Sequence, residues 1–296
     1  MSSDSRHPKQ TGDDRWVVSF ARRYGWRAYA IPVLVVLTVW LIVDMVVSPT
    51  TGNGAQNTAG GPAAASATLL DGPDPNAVDI RALPGGVLPD GGAYTMAGDG
   101  TYRTVGQPGP KVGEGTADTF TYIVQVENGV VTDGYGGDAA FASMIDATLA
   151  NPKGWIHDPQ FAFQHVGEAD NPDLVIQLSS LETTHAACGR DIEMETSCFT
   201  SIGNRVILNE SRWVRGTSVF QGDVGAYRQY MINHEVGHGI GFAQHDVCTV
   251  QGGLAPIMMQ QTLSANNSEL HSIDPTGPYP DDGKICAYNP WPFPNA

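Results

Sequence analysis

His234, Glu235 and His238 stand together as His-Glu-Val-Gly-His. Residues four apart fall on one face of a helix, one turn apart. Two imidazoles so placed can share one metal ion, and a glutamate after the first can sit beside that ion as a general base. Asp223 to about Gly241 reads as one long helix, with Asp223 as N-cap and Gly241 as its end. Glycine has no Cβ to penalise the backbone that leads out of a helix. Past that turn His245 becomes available as a third ligand from another direction, and Asp246 is the alternative. Three protein ligands plus water make a catalytic zinc site, whereas a structural zinc usually takes four protein ligands. Three imidazoles suit Zn2+ and also other transition metals. With zinc to acidify a water, Glu235 would take its proton as it attacks an amide carbonyl, then hand the proton to the leaving amine.

The same stretch resembles the metzincin zinc proteases. Their signature is HExxHxxGxxH, followed by a methionine-containing turn beneath the metal. His234, Glu235, His238 and Gly241 match it position by position. The third family histidine would fall at Gln244, and this chain has His245 one residue later. The resemblance implies that His245 ligates through a one-residue bulge in the loop. It also implies that Met258 or Met259, in Ala255-Pro256-Ile257-Met258-Met259-Gln260, is the turn methionine, and that Tyr279 or Tyr288 stands near the metal. The segments NHEVGHGIG, APIMMQQT and CAYNPWP are similar, over residues 93 to 296, to a family of actinobacterial membrane-anchored proteins with a zincin-like motif. That likeness implies a zinc-dependent, peptidase-like domain, and leaves its substrate open.

Four cysteines, Cys188, Cys198, Cys248 and Cys286, fall in the part expected outside the cell. An even count in an oxidising place reads as two disulfides. Three connectivities are open. The preferred pairs are Cys188–Cys198, a short loop, and Cys248–Cys286, which would tie the loop after the helix to the C-terminal tail. His157, His165, His185 and His271 lack ligand spacing and read as surface or structural histidines, and His7 lies in the basic head. The Asp residues near 133–138 and 274–282 could bind calcium, although neither stretch has the EF-hand pattern.

These residues need elements to hold them. From about residue 93, Tyr94–Val105 and Thr119–Val126 alternate like strands, and Phe161–Val166, Asp173–Leu178 and Arg205–Leu208 read as further strands. Asp138–Leu149 has helical spacing and ends before Asn151-Pro152. About 50 residues after the long helix show little periodicity. This order points to an α+β domain over 93–296, with the mixed sheet and active-site helix that the metzincin likeness implies.

Upstream, Ala28 to Val47 carries one charge in twenty residues, enough to cross a bilayer as one transmembrane helix. Residues 1–27 carry net charge +3 and the remainder −18. Arginines before the span keep the N-terminus cytoplasmic and put the C-terminal domain outside. Residues 48–92, rich in Gly, Ala, Pro, Ser and Thr, read as a disordered linker, of which 78–90 could pack on the domain. The acidity argues against nucleic acid as a partner. The expected function is a membrane-anchored zinc metallopeptidase acting on a peptide or cell-envelope protein. Its rivals are a catalytically inactive, zinc-containing binding module of the cell envelope and an amidase acting on peptidoglycan.

Overall fold

A computed structural model describes residues 38–39, 83–189 and 196–296. The expected cytoplasmic segment 1–27, the body of the transmembrane helix 28–47 and the linker as far as 82 lie outside the described residues. Among the described residues no helix is long and apolar enough to cross a membrane. The chain divides into two compact units, Met1–Asp71 and Gly72–Ala296. Every element below belongs to the second.

A seven-stranded mixed sheet carries that unit. Its strands are β1 (Tyr102–Val105), β2 (Val112–Gly113), β3 (Asp118–Glu127), β4 (Phe161–His165), β5 (Leu174–Ser179), β6 (Cys198–Thr200) and β7 (Arg205–Asn209). The order is β2-β4-β3-β5-β7-β6, with β1 added antiparallel to the second half of β3. β3, β4, β5 and β7 are mutually parallel, while β2 and β6 run antiparallel at the edges. Near-continuous apolar runs such as Leu174–Leu178 fit strands covered on both faces. Among the described residues five α-helices accompany the sheet: α1 (Gly137–Leu149), α2 (Leu181–Cys188), α3 (Glu210–Arg215), α4 (Val224–Gly239) and α5 (Asn267–Ile273).

The expected strand over Tyr94–Val105 shortens to its last four residues. Upstream of them the backbone bonds to Asn128, just past the end of β3, and otherwise to side chains and a helix start. Thr95 N–H reaches Glu210 Oε2 at 2.7 Å, Gly98 N–H reaches Ser180 Oγ at 2.9 Å, and Leu181 N–H reaches the Thr95 carbonyl at 3.2 Å. Residues 83–92, counted with the linker from sequence, also lie on the domain. The buried Arg212 donates to the Gly86 carbonyl, and Arg215 Nε donates to the Gly92 carbonyl at 2.9 Å.

α4 packs on β6 and β7 and against α1, which itself packs on β1 and β3. It is buried on every face from Tyr230 to Gly237, so its sequence cannot show an exposed polar stripe. Asp223 Oδ1 accepts the Ala226 N–H at 2.8 Å, which makes it the N-cap foreseen. The helix ends at Gly239, and Gly241 at φ 114° turns the chain out of it. Residues 246–296 form a second apolar cluster around Met259, Leu263, Leu270 and Tyr279, stapled by a disulfide.

Candidate metal centre

α4 sets His234 and His238 one turn apart, and the turn at Gly241 brings His245 back to them. The ring centroids lie 4.9 Å (His234–His238), 5.4 Å (His234–His245) and 5.1 Å (His238–His245) apart. One nitrogen from each ring lies within 4.8 Å of the other two. Tetrahedral zinc with bonds of 2.0–2.1 Å sets its ligand nitrogens about 3.3 Å apart, so the observed spacing is of the order a shared ion needs. Among the described residues this is the one group of three or more His, Cys, Asp or Glu residues close enough to share an ion. Asp246, the alternative third ligand, is exposed and outside that group.

The protonation pattern suits a metal. His234 Nδ1 lies 2.9 Å from the Ile257 carbonyl, and His238 Nδ1 lies 2.8 Å from the Phe242 carbonyl. A carbonyl only accepts, so each Nδ1 carries the proton and each Nε2 presents a lone pair. His234 Nε2 is buried with no hydrogen-bond partner. An orphaned buried acceptor of this kind asks for an explanation, and a cation supplies one. Burial, reinforced by the two neighbouring rings, holds His234 well below the ordinary histidine range. Burial lowers His238 as well, and burial with His238 nearby pushes His245 down to about 4. All three are therefore neutral at neutral pH, the form that ligates.

Glu235 lies beside these rings in an open cleft of about 350 Å3. Phe199, Ala243, Gln260 and the Cys188–Cys198 disulfide also line it. Burial pushes the Glu235 carboxyl up to about 8.

The two methionines part company. A Cβ built on Gly237 would lie 2.6 Å from Met258 Sδ, so Met258 packs directly under the helix between His234 and His238. Met259 belongs to the second apolar cluster. Their turn holds two of the three histidines at once. The Ile257 carbonyl orients His234, and the Met258 carbonyl accepts the Asp246 N–H at 3.1 Å, which fixes the loop that carries His245. Tyr230 donates to the Met259 carbonyl at 2.8 Å and joins the turn to α4.

Tyr279 stacks 6.3 Å from His245, centroid to centroid, and its hydroxyl is buried without a partner. Tyr288 instead packs on Phe220 at 4.6 Å. The disulfides are Cys188–Cys198 and Cys248–Cys286, the preferred pairs. His165 bonds Asp146 at 2.9 Å, His157 packs on Phe293, and His271 Nδ1 bonds the Tyr279 carbonyl at 3.0 Å. Of the carboxylates considered for calcium, Asp138 pairs with Arg103 at 2.7 Å and Asp282 with Lys284 at 2.7 Å. Sequence reasoning did not find Phe199 and Gln260. Phe199 sits on a three-residue strand too short to signal itself, and Gln260 is one of two adjacent glutamines with nothing to single it out.

A family model described as a protein of unknown function (DUF3152) matches residues 88–294, more than half of the 296-residue chain. No curated protein and no solved structure matches.

Proposed function

The chain belongs to the DUF3152 family, and we propose that its domain is a zinc-dependent hydrolase of amide bonds, most simply a metallopeptidase with a metzincin-like active site. The observation that carries this reading is the donor set: three neutral imidazoles, two with their Nδ1 protons committed to backbone carbonyls, beside a carboxylate in an open cleft. Among the described residues the group has three protein ligands and no fourth, which favours a catalytic over a structural zinc.

His234, His238 and His245 would hold the ion. When bound, zinc supplies Lewis-acid polarisation of a carbonyl and acidifies a water molecule. Glu235 accepts the proton of the attacking water at its carboxylate and returns it to the leaving amine. Burial alone raises this carboxyl to about 8, and a dication beside it pulls the value back toward the ordinary range, so the group can cycle near neutral pH. The cleft beside Glu235, His238 and His245 opens to solvent, as access for a substrate requires. The two disulfides agree with an oxidising compartment. We place the domain outside the cell, carried by a transmembrane helix over 28–47, with a peptide or cell-envelope protein as substrate.

The test uses the full chain in detergent and its Glu235→Gln variant. Metal content is measured, and cleavage of a diverse peptide library is followed by mass spectrometry. The expected result is about one zinc per chain in both proteins and cleavage by the wild type alone. Zinc in both with cleavage by neither would reject the peptidase reading in favour of a binding module or a peptidoglycan amidase. A wild type that takes up no metal would reject the site itself.

A further inference from the structure

The last residues of the chain reach the metal-binding turn through one buried side chain. Asn289 is 4% exposed, and its Nδ2 donates to the Ala255 carbonyl at 2.9 Å and the Trp291 carbonyl at 2.8 Å. Its Oδ1 accepts the Trp291 N–H at 3.1 Å. Its backbone exchanges two bonds with the fully buried Gln261: Asn289 N–H to Oε1 at 2.8 Å, and Nε2 to the Asn289 carbonyl at 3.0 Å. Gln261 Nε2 also donates to the Pro256 carbonyl at 3.2 Å. The two peptide carbonyls just before Ile257 are thus held by this pair. One residue on, the Pro290 carbonyl accepts from Asn233 Nδ2 at 2.9 Å, and Asn233 precedes His234 on α4. The tail therefore grips the turn and the helix together.

We propose that Asn289 is a positioning residue of the metal site. It holds the 255–261 turn against α4 so that the Ile257 carbonyl meets His234 Nδ1 and the Met258 carbonyl keeps the His245 loop in place. The proposal rests on the reading of the three histidines as a metal site, and not on what that site hydrolyses. A group that merely stabilised the fold would lower the melting temperature and leave the ligands where they are. A positioning group changes the geometry and affinity of the bound ion.

The experiment measures zinc affinity by chelator competition and the visible absorption of the cobalt(II)-substituted full chain in detergent. The variants are Asn289→Ala and Asn289→Asp. The second keeps the volume and the acceptor for the Trp291 N–H but turns a carboxylate oxygen on the Ala255 and Trp291 carbonyls. Val126→Ala, a buried change in β3, serves as the destabilised control. Loss of groups that orient ligands costs about 10–100-fold in metal affinity. The expected loss for both Asn289 variants is therefore about tenfold or more, with an altered cobalt spectrum. The control should melt earlier with unchanged spectrum and affinity. If Asn289→Ala does not fold, Asn289→Asp decides. Wild-type affinity and spectrum in a folded Asn289 variant would overturn this proposal alone. A wild type that binds neither metal would overturn it together with the metal site.

Discussion

Replacing Gly237 by alanine sets two known effects against each other. Alanine is favoured over glycine in a helix interior by about 1 kcal/mol. On propensity alone, then, Gly237→Ala should stabilise α4. The surroundings argue otherwise. The new Cβ would lie 2.6 Å from Met258 Sδ and 2.7 Å from Trp155 Cζ2, distances that real methyl groups do not tolerate. Met258 is flexible, yet its backbone carbonyl is bound to Asp246 N–H. Trp155 has less freedom: it is 4% exposed, its Nε1 donates to the Asn233 carbonyl at 2.9 Å, and its ring stacks on Phe242 at 4.5 Å. Overpacking of this kind costs about 1–3 kcal/mol. With two such contacts the upper half applies, leaving a net loss of about 1–2 kcal/mol after the helix gain. For a domain of about 200 residues that is roughly 3–6 °C in melting temperature. Thermal unfolding in chelator, followed by circular dichroism, reads it directly. In a Met258→Ala background the sulfur contact disappears and the Trp155 contact remains, so the penalty should shrink without reversing. A rise in melting temperature for Gly237→Ala would refute the packing argument.

Two further predictions concern the stapling and the acid response of the domain. Chain entropy assigns about 4 kcal/mol to Cys248–Cys286, which closes a separation of 38 residues, and about 3 kcal/mol to Cys188–Cys198, which closes 10. Denaturant unfolding should show Cys248→Ala/Cys286→Ala as the weaker of the two double variants, and the reverse order would contradict this. In the chelated protein His245 sits near 4, so between there and 6.5 the unfolded chain holds a proton the folded one lacks, and stability rises with pH. Glu235, raised to about 8, does the opposite between 4.5 and 8, where the folded chain holds the extra proton. The lowered His234 and His238 side with His245 below about 6.5, and above it Glu235 acts alone. The melting temperature in chelator should therefore peak near pH 6.5, and a steady climb through pH 8 would sink the assignment.

Much of the site was legible because helical spacing is rigid. His234, Glu235 and His238 needed only the repeat of a helix, and Asp223 its capping oxygen. His245 was legible as chemistry, but its arrival depended on how the chain leaves Gly241, which no spacing rule states. Met258 and Met259 were indistinguishable in sequence since both are buried apolar residues on one turn, and only their opposite neighbours separate them. The strand β4, Phe161–His165, has no β-branched residue and showed only as a short apolar stretch, whereas β3, β5 and β7 announced themselves by such residues. β6 and α5 did not, being three and seven residues long. Tyr94–Thr101 misled because its alternation looks like a ladder, whereas Gly98 and Gly100 bind Ser180 and Glu127 instead. The Asn289 brace was invisible, since it spans 34 residues to Ala255 and depends on amide geometry, not on residue pattern.

The groups that orient His234 and His238 are backbone carbonyls, those of Ile257 and Phe242. Every amino acid has that oxygen. An alanine scan would truncate Ile257 and Phe242 and still leave both acceptors in the chain, so it would under-report what these positions do for the two histidines. Their contribution is written in the path of the main chain. It therefore tolerates wide drift in side-chain identity, while an inserted or deleted residue directly beside Phe242 or Ile257 would displace these oxygens.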